Sequence, residues 1–125
     1  TKGGNYGWPI VSHEKSDSRF ISPLLVFTPA EAPGGALFYK GSVFPQFRNN
    51  YFFGLLKGEG IMKVVLDEDD ANNVVQYEKL AGVEVGRIRD VLEGPDGFIY
   101  FMTSNRDGRG EVHEGDDKIY RLVPK

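Results

Sequence analysis

The sequence predicts an all-β protein built from two successive antiparallel strand units. Short apolar runs recur from residue 35 onwards, and glycine- or proline-containing turns separate them. Aromatic residues make up 13% of the chain, which favours strands over helices. The 125 residues also include 16 Gly and 7 Pro, as expected for many tight turns.

Residues 1–34 differ from the rest because they show little periodicity. They contain Pro9, Pro23, Pro29 and Pro33 and a polar stretch at residues 12–18. We interpret them as a long connecting region, in which the apolar residues 24–27 allow one strand.

Residues 35–84 predict a four-stranded unit. The expected strands are separated by turns and have no helical spacing, and they lie at residues 36–39, 51–56, 61–66 and 74–80. The strand at 51–56 is apolar throughout, which indicates burial on both faces.

Residues 85–125 predict a second unit with three strands. These are expected at residues 87–92, 98–103 and 118–122. A Pro95-Asp96-Gly97 turn joins the first two strands, and a glycine-rich excursion at 105–115 precedes the third.

Two such units are compatible with two architectures. Four-stranded meanders that repeat about every 40–45 residues are typical of propeller blades. Seven short strands also satisfy a β-sandwich, and the pattern alone does not decide between them. Two blades would leave open sheet edges, so we expect that the chain is part of a longer protein.

Charge and composition exclude several classes of function. The net charge of −3 argues against a general nucleic-acid binder, which would carry a basic excess. No apolar run approaches the length of a membrane span. The absence of cysteine excludes disulfides, thiolate metal sites and cysteine nucleophiles.

The most informative residues for function are Arg87 and Arg89. In a strand, residues i and i+2 point to the same side, so we expect both guanidinium groups to project together while Ile88 faces the other way. Two planar forks suit a ligand with several carboxylates. The alternative is that both arginines pair with nearby carboxylates of the protein or lie in water.

An ordered set of motifs resembles the C-terminal third of the glucose/sorbosone dehydrogenase family, which are soluble aldose sugar dehydrogenases that use pyrroloquinoline quinone (PQQ). The motifs are Asn5-Tyr6-Gly7-Trp8-Pro9, Phe38-Tyr39-Lys40-Gly41, Gly54-Leu55-Leu56-Lys57, Gly86-Arg87-Ile88-Arg89-Asp90-Val91 and Gly94-Pro95-Asp96-Gly97. Residues 105–110 and 116–121 look most like the prokaryotic branch.

The resemblance implies a six-bladed β-propeller of which this chain supplies about the last two blades. By motif, Lys57, Arg87 and Arg89 would contact PQQ, and their charges would neutralise its carboxylates. The catalytic histidine and the calcium ion on the quinone belong to upstream parts of the family, so no catalytic residue and no metal ligand is expected here. The substrate would be an aldose, the electrons would pass to an unspecified acceptor, and the location would be periplasmic or secreted.

Other residues that invite a functional interpretation are expected to be structural. His13 and His113 lie in polar loops and match no family position. The acidic segments at residues 67–72 and 105–110 depart from a calcium-loop pattern and predict solvated turns; a structural calcium ion in the second segment is the alternative. Thr28 stands where some family members carry a sugar-facing tryptophan, and Trp8 is expected to pack beneath its loop.

Asp90 is expected to point away from the arginines and to be structural.

Taken together, the sequence predicts an enzyme fragment that is inactive by itself because it lacks the catalytic base. The alternative from a different class is a non-catalytic β-propeller-like binding or scaffold module.

Overall fold

The structure is a computed structural model, and it describes residues 2–124. The chain forms two compact units, the first ending at Ala30 and the second beginning at Glu31. In the described part of the chain, no helix has the length and apolar character needed to cross a bilayer.

The first unit is held by turns. Asn5 connects two of its segments. Its side-chain oxygen accepts a hydrogen bond from the Gly7 amide at 2.9 Å, and its carbonyl accepts one from the Ile21 amide at 2.9 Å. Gly7 has a φ of +83°, a left-handed conformation that glycine adopts without strain.

The strand expected at residues 24–27 is absent, so this prediction was wrong. Pro23 and Pro29 flank the segment and supply no amide donors. Leu24 is 53% exposed, and no neighbouring strand in the described residues pairs with the segment. An apolar run without a pairing partner gains nothing from extended geometry.

The second unit begins with a four-stranded antiparallel sheet of order β1-β2-β3-β4. The strands are β1 (Pro33–Phe38), β2 (Tyr51–Leu55), β3 (Ile61–Leu66) and β4 (Val74–Lys79). A short 3-10 turn at Pro45–Phe47 lies between β1 and β2. As the apolar sequence of β2 predicts, four of its five residues are buried.

A three-stranded antiparallel sheet of order β5-β6-β7 follows. Its strands are β5 (Ile88–Glu93), β6 (Ile99–Thr103) and β7 (Ile119–Arg121). The strand predicted from residue 87 begins one residue later, at Ile88. Gly86 just before it has a φ of +87°, and the Arg87 amide bonds to the side chain of Asn105 at 2.9 Å instead of to a neighbouring strand.

The core lies between the two sheets, where β1 and β2 both pack against β5. Tyr39, Phe52, Ile88 and Ile99 are completely buried in it. A Cβ on Gly54 would lie 2.7 Å from the Ile88 carbonyl oxygen, so only glycine lets β2 approach β5 this closely.

This packing brings three strand ends to one edge of the unit: the end of β2, the start of β5 and the end of β6. The Gly60 amide, in the turn after β2, donates to the Gly86 carbonyl at 3.1 Å, and the Ser104 amide, just after β6, donates to the Arg87 carbonyl at 2.9 Å. We call this the cation edge, because Lys57, Arg87 and Arg89 all lie along it. The β3–β4 and β5–β6 turns lie at the opposite edge.

Candidate functional site

Arg87 and Arg89 project to the same side and meet at one carboxylate. The terminal nitrogen Nη2 of Arg87 lies 2.7 Å from Oδ2 of Asp107, and Nη2 of Arg89 lies 2.9 Å from the same oxygen. Ile88 between them is completely buried in the core. The structure therefore brings the two arginines together, although the β5–β6 register shifts between Ile88 and Asp90.

Arg87 is the buried member of the pair, with a side chain only 9% exposed. Its guanidinium group also donates to two backbone carbonyls, through Nε to Ser104 at 3.2 Å and through Nη1 to Leu56. A buried cation is tolerated when its donors are paired in this way. Arg87 thus ties the end of β2 and the end of β6 to the start of β5.

Arg89 is the accessible member, with a side chain 46% exposed. Its Nε and Nη2 atoms donate to the Ser104 hydroxyl at 3.2 and 2.8 Å. Among residues 2–124, its remaining terminal nitrogen has no hydrogen bond. That nitrogen is available to a bound anion.

Lys57 lies in the turn that follows β2, at the cation edge. The preceding residue, Leu56, gives its carbonyl to Arg87, and the Lys57 amide donates to the Glu31 carbonyl at 3.1 Å. The Lys57 side chain is exposed, and within the described residues its ammonium group has no hydrogen bond or ion pair. Backbone hydrogen bonds therefore hold the turn that carries Lys57, while no residue of the described chain binds its ammonium group.

The turn after Lys57 is held on its other side by Lys79, whose ammonium group donates to the Gly58 carbonyl at 2.6 Å. A Cβ on Gly58 would collide with the carboxylate of Glu31. A larger residue at position 58 would therefore require the Glu31 carboxylate to move.

Ser104, Asn105 and Asp107 organise the cation edge, although the sequence pattern did not identify them as site residues. Asn105 is 1% exposed. Its side chain accepts from the Arg87 amide at 2.9 Å and donates to the Val85 carbonyl at 3.1 Å. Residues 105–109 form the expected turn and residues 106–109 are exposed, but the buried Asn105 shows that the turn is solvated only in part. A signal existed, because Asp107 is a carboxylate in a motif that accompanies the Arg-x-Arg motif, but its spatial partner lies 20 residues away.

The pKa of the Asp107 carboxyl is held below its ordinary value. The main cause is the side-chain hydrogen bond from Arg87, and the backbone amide of Arg109 and the Ser104 hydroxyl act in the same direction. The group therefore carries its negative charge across the neutral range. The arrangement is the protein-carboxylate pairing that the sequence left open as an alternative. Of the three predicted cofactor contacts, Arg89 and Lys57 each keep a side-chain nitrogen without a hydrogen bond among residues 2–124.

The other acidic segment behaves as predicted for a turn. Asp67 accepts from the Asp69 amide at 2.9 Å, and Asp70 accepts from the Asn72 amide at 2.9 Å. These bonds are local and exposed. Among residues 2–124, no group of three or more His, Asp or Glu side chains is arranged to hold a metal ion.

Both histidines are exposed. His13 contacts only the neighbouring Ser12 hydroxyl, at 3.3 Å. His113 donates its backbone amide to Asp116 at 2.8 Å. It also lines a cavity of about 470 Å³ that borders Gly58 and Gly86 on the cation edge.

Three further expectations concern single residues. Asp90 is half-buried beside Gly35 and accepts from the Val91 amide, with no bond to the arginines in the described chain, as expected for a structural residue.

Trp8 is 81% exposed, so the expectation that it packs beneath its loop was wrong: the turn at residues 8–10 directs the ring outward. Thr28 is exposed and follows the segment that failed to form a strand.

Comparison with known proteins connects this geometry to a family. The family model described as Glucose / Sorbosone dehydrogenase matches residues 1–121. An uncharacterised protein of Synechocystis is 37% identical over 86% of this chain and 28% of its own length. The aldose sugar dehydrogenase YliI of Escherichia coli is 29% identical over 86% of this chain and 32% of its own length.

Solved structures agree with these matches. A Thermus thermophilus protein, provisionally assigned as a glucose dehydrogenase, superposes with a TM-score of 0.80 at 37% identity, over 96% of this chain and 34% of its own. The PQQ-bound aldose sugar dehydrogenase of Streptomyces coelicolor superposes with a TM-score of 0.74 at 29% identity, over 94% and 33%. These matches confirm the all-β propeller fold over the sandwich. The chain spans about a third of each relative.

Proposed function

The chain belongs to the glucose/sorbosone dehydrogenase family, and we propose that the protein carrying it is a PQQ-dependent aldose sugar dehydrogenase. In this proposal the anomeric hydroxyl of an aldose is oxidised to a lactone, and Lys57, Arg87 and Arg89 hold the cofactor. A relative whose structure contains PQQ supports the choice of cofactor.

The observation that carries the proposal is the donor set of the cation edge. Among the described residues, one terminal nitrogen of Arg89 has no hydrogen bond, and the Lys57 ammonium group in the adjoining turn has no hydrogen bond or ion pair. Such cations fit a planar tricarboxylate, since the guanidinium fork matches a carboxylate and an ammonium group supplies a compact charge. The residues present therefore fit PQQ.

The roles of the three cations differ in this proposal. PQQ, when bound, supplies the acceptor for a hydride from the sugar. Arg89 and Lys57 bind its anionic groups, and the positive charge of Lys57 stabilises negative charge that develops nearby. Arg87, whose side chain is only 9% exposed, holds the strand ends in place, and its direct contact with the cofactor stays a prediction.

The remaining parts of the activity are proposed for the protein outside this chain. They are the histidine that takes the sugar's hydroxyl proton and the calcium ion. The electron acceptor and the periplasmic or secreted location also rest on the resemblance alone. Because residues 1–125 supply none of the base chemistry in this proposal, we expect the isolated chain to be inactive.

The test is a titration of the full-length protein with PQQ, followed through the quinone absorbance. We expect Arg89→Ala and Lys57→Ala each to weaken binding at least tenfold, which corresponds to about 1.4 kcal/mol. Arg48→Ala and Lys40→Ala are matched controls, because both residues are exposed and lie away from the cation edge. If the wild-type protein does not bind PQQ, the scaffold-module alternative is favoured and the enzyme assignment fails.

A further inference from the structure

We propose that Asp107 is a positioning residue of the cofactor site: its carboxylate holds Arg87 and Arg89 side by side, so that the free edge of Arg89 is preset for a rigid anionic ligand. This inference rests on the proposed function, since the ligand is PQQ. Asp107 would act through the arginines and not by touching the cofactor.

The geometry of the carboxylate is the first argument. One oxygen, Oδ2, accepts from both guanidinium groups, and Ser104 Oγ lies 3.4 Å from the same atom. The other oxygen, Oδ1, accepts from the Arg109 amide at 3.0 Å. Since both oxygens are engaged, the carboxylate cannot rotate freely, and its orientation is set by the backbone of its own turn.

The charge balance is the second argument. Two guanidinium groups held together repel each other, and a single carboxylate oxygen between them offsets that repulsion. Without the carboxylate, Arg89 would be free to swing away, because its side chain is 46% exposed and nothing else in the described chain but the Ser104 hydroxyl binds it.

The asymmetry of the pair is the third argument. A purely structural ion pair needs only Arg87, which is buried and already joins three strand ends. Fixing Arg89 as well costs side-chain entropy at a position that gains little stability from the bond. A preset, half-exposed guanidinium group is what recognition of a rigid anion requires.

If Asp107 positions Arg89, its substitution should change the affinities for a rigid and a flexible anion in different ways. In the full-length protein, Asp107→Asn should weaken PQQ binding about tenfold, in the range seen when a residue that orients a ligand-binding group is lost. Citrate, a flexible tricarboxylate, should bind as well or better, because the variant edge carries one more net positive charge and citrate can follow a mobile arginine. Both affinities are measured by calorimetry, so no turnover is needed.

A second variant and a control keep the test decisive. Ser104→Ala removes the hydroxyl that binds Arg89 while leaving its backbone carbonyl for Arg87, so it should shift the PQQ-to-citrate preference in the same direction by a smaller factor. Asp96→Asn is the matched control: Asp96 also faces an arginine, Arg121, but lies in the β5–β6 turn at the opposite edge.

The outcomes separate the inference from the proposed function. If the wild-type protein binds PQQ but Asp107→Asn weakens both anions equally, Asp107 is merely structural; if it strengthens both, Asp107 acts only through its charge. Either result overturns the positioning role and leaves the proposed function standing. If the wild-type protein does not bind PQQ, both fail together.

Discussion

Two acidic loops of this chain have similar residue types and opposite behaviour. In the β3–β4 turn, Asp67 and Asp70 bond to amides two or three residues away, in exposed positions. In the β6–β7 loop, Asn105 and Asp107 bond to groups 18 to 20 residues away at the start of β5. The first loop therefore terminates a hairpin, whereas the second assembles the cation edge.

The role of a polar side chain in these loops depends on which group it bonds to, and not on its residue type. A carboxylate that caps its own turn remains hydrated and contributes little beyond local order. A carboxylate or amide that joins distant segments is partly desolvated, so losing it leaves donors without partners. Three predictions test this contrast, from the largest effect to the smallest.

The largest effect is expected for Asn105→Ala. The substitution removes the acceptor of the Arg87 amide and the donor to the Val85 carbonyl inside a fully buried site. Unpaired buried groups of this kind cost about 3 kcal/mol in the free energy of unfolding. Asn72→Ala in the β3–β4 turn is the matched control and should change it by less than about 0.5 kcal/mol. Urea denaturation measures both, and equal losses would remove the contrast.

A smaller effect is expected within the arginine pair itself. Arg87→Ala should lower the free energy of unfolding by about 2 kcal/mol, because it leaves the Leu56 and Ser104 carbonyls and Asp107 without a buried donor. Arg89→Ala should cost less than about 0.5 kcal/mol, since its side chain is half-exposed. Thermal and urea unfolding of both variants give the comparison. A larger loss for Arg89 than for Arg87 would reverse the assignment of anchor and ligand-binding residue.

The smallest effect is a dependence on pH. The pKa of Asp107 is lowered in the folded protein, mainly by the hydrogen bond from Arg87. Its contribution to stability is therefore present above the unfolded-state pKa and is lost as the pH falls through the lower, folded-state value, below about pH 4. Asp107→Asn should show a shallower loss of stability than the wild type over this acid range. Identical urea midpoints against pH for the two proteins would show that the carboxylate has no linked proton.

Much of the fold was predictable because it depends on local pattern. Alternation and apolar runs located all seven strands of the second unit to within a few residues, and the Pro-Asp-Gly and Gly-rich segments located their turns. The same reasoning failed at residues 24–27, because a strand needs a partner as well as a composition. The predicted burial of Trp8 was wrong for a related reason. The neighbouring residues in the sequence do not determine the direction in which a turn points an aromatic ring.

The candidate site also contains residues that local spacing predicts and residues that only tertiary contacts place. Arg87 and Arg89 do lie on one side, as the i, i+2 rule predicts, although Arg87 precedes β5 and the register shifts between Ile88 and Asp90. The motif singled out Lys57, and its contact with a cofactor stays a prediction. The sequence by itself determined which strands form, in what order they pair, and which cations lie at their ends, because these follow from spacing along a single strand or hairpin.

Only the tertiary structure decided that Asp107 would sit between the arginines, that Arg87 would be buried and Arg89 left accessible, and that Asn105 would close the network. These facts depend on how the β6–β7 loop folds back over the start of β5, and on the close approach of β2 that Gly54 permits. Contacts between segments this far apart in sequence are selected by packing and desolvation, which no local window of residues contains.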